Sequence, residues 1–267
     1  MKQAYSIIAA IIIILLLKQM QCSKDSDRWI NRVDGMQYVR IPAGELQAQF
    51  KAPEGDDSMA AVTIHDDFLM AATEVTVDQF ARFVKETGHI TSAELDGNRF
   101  TWKSPGFEQT GNHPVVFLSH EDVHAYAEWA HVEIPTEVEW LYACRAGTRT
   151  KFFWGDSIND NYLWHRGNTG GTGTRPVGTK DANPWGFYNM VGNVREYVDV
   201  CDVRYNLRGS SWTRCPSYRT RQGFIANNMI AESVEAQLTT CAEPKYAPYP
   251  YDDDRGFRCI KRIEKED

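Results

Sequence analysis

The chain has 267 residues, a formal net charge of −7 and 24% charged residues. That balance is ordinary for a globular protein and allows one large domain or two small ones. An acidic chain without a basic stripe argues against nucleic acid as the main partner. Its 8 Trp, 12 Tyr and 12 Phe are a heavy aromatic load, able to anchor a core that has little regular structure.

The N-terminus stands apart. Lys2 is followed by an apolar run over residues 4–17, broken only by Ser6. The run has the length of a signal-peptide apolar region and falls short of the roughly 20 residues a spanning helix needs. Cys22 follows it and opens a polar stretch, as a lipidated cysteine does, although Gln21 is not the small residue a lipidation signal prefers. An uncleaved signal-anchor is the rival reading. Either one tethers the protein to a membrane of the bacterial cell envelope after export. Residues 1–22 are therefore read as the signal, 23–34 as a tether and 35–263 as one domain. The remaining cysteines are Cys144, Cys201, Cys215, Cys241 and Cys259. In an exported chain they suggest two disulfides and one free thiol. None forms a CxxC pair, which argues against a structural zinc site.

Within the domain, residues 36–46 read as a strand ending in a turn at Pro42-Ala43-Gly44. Residues 51–59 read as a charged loop and 62–70 as a strand. Thr76 caps a first helix, with Gln79 as its capping-box partner and Gly88 as its stop. Residues 89–112 carry three glycines and read as loop. His113-Pro114-Val115-Val116-Phe117-Leu118 is a short apolar run, and Ser119 caps a second helix with Val123, Tyr126, Ala127 and Ala130 inward. Thr136 and Glu139 make the capping box of a third, with Leu141, Tyr142 and Cys144 inward. Glycines are too dense over residues 147–188 for a helix or long strand, yet the aromatics there demand an ordered, buried setting.

Seven short blocks then stand in order: Gly35-Met36 through Gly44; Glu74-Val75-Thr76 with Phe80 and Phe83; His113-Pro114-Val115-Val116 with Asp122, Tyr126 and Trp129; Pro135-Thr136-Glu137 with Trp140; Gly192-Asn193-Val194-Arg195-Glu196; Arg208-Gly209-Ser210-Ser211-Trp212; and Gly256-Phe257-Arg258. Together they resemble the formylglycine-generating enzyme (sulfatase-modifying factor) family. The resemblance implies an α+β, C-type-lectin-like fold with little regular secondary structure.

In that family two cysteines bind copper and oxidise a substrate cysteine to formylglycine. They lie three and eight residues after a serine that corresponds here to Ser211, which puts Arg214 and Arg219 in their places. Neither supplies the thiolate that copper(I) selects, and Cys215 is one residue out of register. Copper or iron chemistry is therefore not expected. The family's calcium site maps onto Asn189, Glu196 and the backbone carbonyls of Gly192 and Val194, a chemically sensible oxygen set. The alternative is that Asn189 and Glu196 merely hydrogen-bond the turn. The family's disulfides are not matched, because the partner positions of Cys144 and Cys259 are Phe224 and Ala127.

His120 and His124 have metal-ligand spacing on one helix face, with Glu121 between them. We read them instead as lining the helix N-terminus near solvent. His113 reads as a loop residue, and Asp252-Asp253-Asp254 as a solvated loop. Trp212, Arg214, Tyr218, Arg219 and Arg221 have the composition of a recognition surface. The favoured function is a non-catalytic, envelope-anchored binding or structural module, as in relatives that serve as gliding-machinery lipoproteins or retroelement-diversified variable proteins. The alternative is a metal-dependent oxidative enzyme.

Overall fold

A computed structural model describes residues 28–51, 57–200, 217–221 and 253–263. Residues 1–22 with Cys22 lie outside this range, as do Trp212, Arg214, Asp252 and the cysteines Cys201, Cys215 and Cys241. The strands are β1 (Arg28–Ile30), β2 (Gln37–Ile41), β3 (Gly44–Lys51), β4 (Asp57–Ile64), β5 (Phe68–Ala71), β6 (Arg195–Val200), β7 (Ser217–Arg221), β8 (Arg255–Gly256) and β9 (Ile260–Arg262). The helices are α1 (Val77–Thr87), α2 (Ser92–Leu95), α3 (His120–Ala130), α4 (Glu137–Arg145) and α5 (Arg166–Thr169).

Among the described residues three sheets result. One is antiparallel in the order β1-β2-β5-β9, one is the hairpin β3-β4, and one has the order β7-β6-β8 with β6 and β8 parallel. The first sheet brings the chain's end beside its early strands. β9 pairs with β5, and Glu133 exchanges both backbone hydrogen bonds with Ile260.

The three main helices begin where local chemistry dictates. Thr76–Gln79, Ser119–Asp122 and Thr136–Glu139 each form a reciprocal capping box, which satisfies backbone donors that no helical carbonyl reaches. Gly88 ends α1 in the left-handed region at φ 72°, a conformation glycine adopts without strain. The expected inward faces are buried on α3 (Val123, Tyr126, Ala127 and Ala130) and on α4 (Leu141, Tyr142 and Cys144); on α1, Phe80 and Phe83 are buried, while Val77, Ala81 and Val84 on the same face are partly buried.

Several expectations are corrected. The stretch read as a tether contains β1, which pairs with β2, and its Asn31 amide donates to the Ala130 carbonyl at 2.9 Å. Of the stretch read as a charged loop over residues 51–59, Lys51 and Asp57–Met59 are strand, because the ladder seeded by buried Leu46, Val62 and Ile64 runs from Gly44↔Ile64 out to Lys51↔Asp57. The single strand over residues 62–70 is two. Asp67 interrupts it by accepting hydrogen bonds from the Ala43 backbone and the Arg40 guanidinium. α2 stands inside the loop read over residues 89–112, started by a Thr91–Glu94 capping box. α5 is a single turn within the glycine-rich half.

The glycine-rich half is ordered by aromatic packing. Trp154 stacks between Phe152 and Tyr162, with centroids 4.6 and 5.1 Å away. Cys144 and Cys259 are free and buried, so neither repairs a lost family disulfide. Burial pushes the Cys144 thiol up to about 12 and that of Cys259 well above its usual value. These are inert core thiols rather than metal ligands.

Candidate functional site

The signature turn over residues 189–194 is built by backbone constraints. Gly192 has φ 89°, and a Cβ there would stand 2.3 Å from the Trp164 carbonyl oxygen. Only glycine fits both the angle and the space. Asn189 and Asn193 flank it at φ 55° and 59°, a region that asparagine tolerates better than most residues. Asn193 is fully used: its side-chain oxygen accepts from the Arg175 backbone N–H, and its amide donates to the Arg175 carbonyl and to Glu74 Oε1.

The turn delivers Glu196 into a buried cluster. Arg258 donates from Nε to Oε2 and from Nη2 to Oε1, both at 2.7 Å, and Trp140 Nε1 donates to Oε2 at 2.8 Å. Both partners of the ion pair are at most 1% exposed. The parallel pairing of β6 with β8 explains the meeting. Glu196 lies opposite Gly256, and Arg258 follows two residues later. Gly256 itself has no room for a side chain, since a Cβ would press on Val194 Cγ2 at 2.9 Å.

Glu74 completes the cluster. It is fully buried, and its Oε2 has no hydrogen-bond partner. Burial, opposed by Arg258 and reinforced by Glu196, raises its carboxyl to about 8. At neutral pH Glu74 therefore stays protonated, and Glu196 alone balances the Arg258 charge. The cluster is electrically neutral, which is the condition for burying it.

These contacts bear on two of the four positions mapped for calcium, Glu196 and Asn189. The Glu196 carboxylate is occupied on both oxygens by a guanidinium and an indole, and a guanidinium in direct contact repels a divalent cation. The Asn189 oxygen accepts from the Gly178 N–H at 3.1 Å, and its unpartnered buried atom is the amide nitrogen, a donor. Exchanging the two amide atoms would set a donor against the Gly178 N–H. In this arrangement neither the Glu196 carboxylate nor the Asn189 oxygen presents calcium an atom without a hydrogen-bond partner. Arg258 stands against the carboxylate that the resemblance assigns to calcium.

Other expected features separate. His113 is buried, with Nδ1 3.2 Å from the Thr174 hydroxyl, and burial together with Arg175 holds its pKa below the usual histidine value. With Phe107, Arg175 and Asp253 it lines an open cleft of about 1030 Å³. The acidic run is not a solvated loop over its described part. Asp253 and Asp254 are each 2% exposed, and Asp254 pairs with both Nε and Nη2 of Arg195. Salt-bridge demand from Arg195 outweighs the composition of the run.

Of the expected recognition surface, Tyr218, Arg219 and Arg221 lie on β7 at register positions facing Asp199, Val198 and Glu196 of β6. Trp212 and Arg214 lie outside the described residues.

His120 and His124 do meet. Their Nε2 atoms are 2.8 Å apart, and Asp199 Oδ1 of β6 lies 3.4 and 3.2 Å from them. Asp199 was missed by sequence reasoning, because nothing local links position 199 to position 120.

Comparison with known proteins agrees with this geometry. A family described as "Sulfatase-modifying factor enzyme 1-like domain" matches residues 28–263. The formylglycine-generating enzyme of Mus musculus is 28% identical over 277 residues, covering 83% of this chain and 74% of its own. The inactive C-alpha-formylglycine-generating enzyme 2 of Bos taurus is 28% identical over 291 residues, covering 88% and 91%. The solved structure of PvdO from Pseudomonas aeruginosa superposes with a TM-score of 0.64 at 22% identity, covering 88% of this chain and 98% of its own.

Proposed function

Because the chain belongs to the sulfatase-modifying factor enzyme 1-like family, we propose that it is a non-catalytic binding or structural module of that α+β fold. We place it outside the cytoplasm, held at a cell-envelope membrane by its N-terminus. One observation carries the loss of catalysis. Both positions that correspond to the copper-binding cysteines are arginines, Arg214 and Arg219. An arginine is a permanent cation without a lone pair for copper. The two described cysteines are no substitute, since both are buried. Similarity to an inactive formylglycine-generating paralogue supports the same reading.

The functional surface on this reading is the segment with Trp212, Arg214, Tyr218, Arg219 and Arg221. Arginine and aromatic side chains dominate recognition surfaces because they combine planar contact area with directed donors. The test incubates the full chain with copper(I), oxygen and a cysteine-containing sulfatase peptide, and mass spectrometry follows aldehyde formation. No conversion is expected. Multiple turnovers would overturn the reading. Palmitate labelling of the wild type and Cys22→Ala tests the anchor, with label expected only in the wild type.

A further inference from the structure

The His120–His124–Asp199 cluster takes no part in the buried network and belongs to none of the positions inherited from the family. Among the described residues it is a group of three His, Cys, Asp or Glu side chains whose donor atoms converge closely enough for one ion. We propose that these three side chains bind a single zinc-class divalent transition metal, with a further coordination position open to solvent.

The three mutual contacts cannot all be hydrogen bonds at once. Each imidazole Nε2 carries either a proton or a lone pair, yet each lies in contact with two others of the three atoms. If both nitrogens donate to Asp199, two N–H groups oppose each other at 2.8 Å. If one imidazole donates to the other, the acceptor has no proton left for Asp199. A cation meets all three lone pairs at once.

The dimensions fit. The separations of 2.8, 3.2 and 3.4 Å approach the edges of a tetrahedral site. An ion at the usual zinc distance of about 2.0–2.1 Å reaches all three atoms from a point about 1 Å off their plane. Two nitrogens and one carboxylate oxygen suit zinc-class metals. Calcium prefers oxygen alone at longer distances.

The supports are stiff. His120 and His124 stand one turn apart on α3, whose N-terminus is fixed by the Ser119–Asp122 capping box. The pattern His120-Glu121-Asp122-Val123-His124 is the helical spacing by which two histidines share one metal. Asp199 sits on β6, and its backbone N–H donates to the Pro135 carbonyl at 2.9 Å. Ligands on a helix and a paired strand keep their geometry without the ion, which favours binding.

The site is also reachable. His120, His124 and Asp199 side chains are 23, 41 and 25% exposed. His124 and Asp199 line an open cleft of about 490 Å³ with Glu121 and Glu128, whose charge draws cations inward. Three protein ligands beside solvent leave room for a water or a partner's side chain on the metal.

The experiment titrates the metal-free full chain, purified in detergent, with zinc by calorimetry and with cobalt(II) by visible absorption. One equivalent of each should bind, with intense cobalt bands of a tetrahedral site. His124→Ala and Asp199→Ala should each weaken binding at least ten-fold, while His165→Ala, distant in sequence and paired with Asp160, should leave it unchanged. His120→Gln serves as a further variant if an alanine variant loses its native circular dichroism. Absence of a one-equivalent site, or undiminished affinity in folded variants of these ligands, overturns the proposal.

Discussion

Replacing Glu196 with glutamine tests the claim that an arginine, not a metal ion, pins the signature turn. The substitution keeps the shape and removes the charge. It leaves Arg258 fully buried against a neutral amide that cannot accept at both of its atoms. Breaking one side of such a buried pair costs about 3–5 kcal/mol. In a domain of this size that lowers Tm by roughly 6–20 °C. Glu74 moderates the loss, because losing the negative neighbour and keeping the nearby guanidinium both favour its ionised form. The lower end of the range is therefore expected for the single variant. Glu74→Gln added to Glu196→Gln should then be more damaging than the two separate effects combined, by at least about 1 kcal/mol of coupling. Urea unfolding of the full chain at pH 7, followed by tryptophan fluorescence, measures each term. Two results refute the reasoning. One is Glu196→Gln unfolding within about 0.5 kcal/mol of the wild type, the range of an ordinary surface substitution. The other is a calcium chelator that destabilises the wild type but not the variant, which would make Glu196 a cation ligand.

Further outcomes are specific. The Glu74 carboxyl rises from its ordinary 4.5 to about 8 in the fold, so the folded state holds a proton that the unfolded state has released. Stability relative to Glu74→Gln should fall as pH rises from about 4.5 to about 8, at no more than about 1.4 kcal/mol per pH unit, and level off above. Parallel curves for the two proteins over that window contradict this. Gly192→Ala forces a Cβ against the Trp164 carbonyl at a left-handed backbone angle. A loss of about 2–3 kcal/mol in thermal or urea unfolding is expected, and a neutral result would mean that the turn is not tightly held. Thr136→Ala removes the Oγ1 bonds to Glu139 and its backbone N–H. It should cost about 1–2 kcal/mol by the same measurement, with Thr136→Ser recovering most of it.

The local layer of this protein is legible from the chain alone. A capping box joins residues three apart, so Thr76–Gln79 and Thr136–Glu139 announce α1 and α4 without any knowledge of the fold. The inward faces of α3 and α4 follow from helical spacing. The motif blocks identify the family, and counting from Ser211 in their register puts Arg214 and Arg219 where the resemblance expects two thiols. The β3–β4 hairpin was harder to see, since a charged stretch near its tip masks the apolar pattern at its base. The acidic run misled for a related reason: composition suggested solvent, whereas Arg195 draws Asp254 inside.

Tertiary structure decided what the side chains of the motif blocks touch. Glu196 could have been a calcium ligand or a turn acceptor as far as its neighbours in the chain could say. Its partner is Arg258, 62 positions away, brought there by the parallel pairing of β6 with β8. Asp199 reaches the histidines of α3 from 75 positions away or more. Caps and helix faces are encoded in short-range spacing, where a few residues carry the whole interaction. Ion pairs and metal clusters depend on where distant backbones cross. That crossing is fixed only when the core closes.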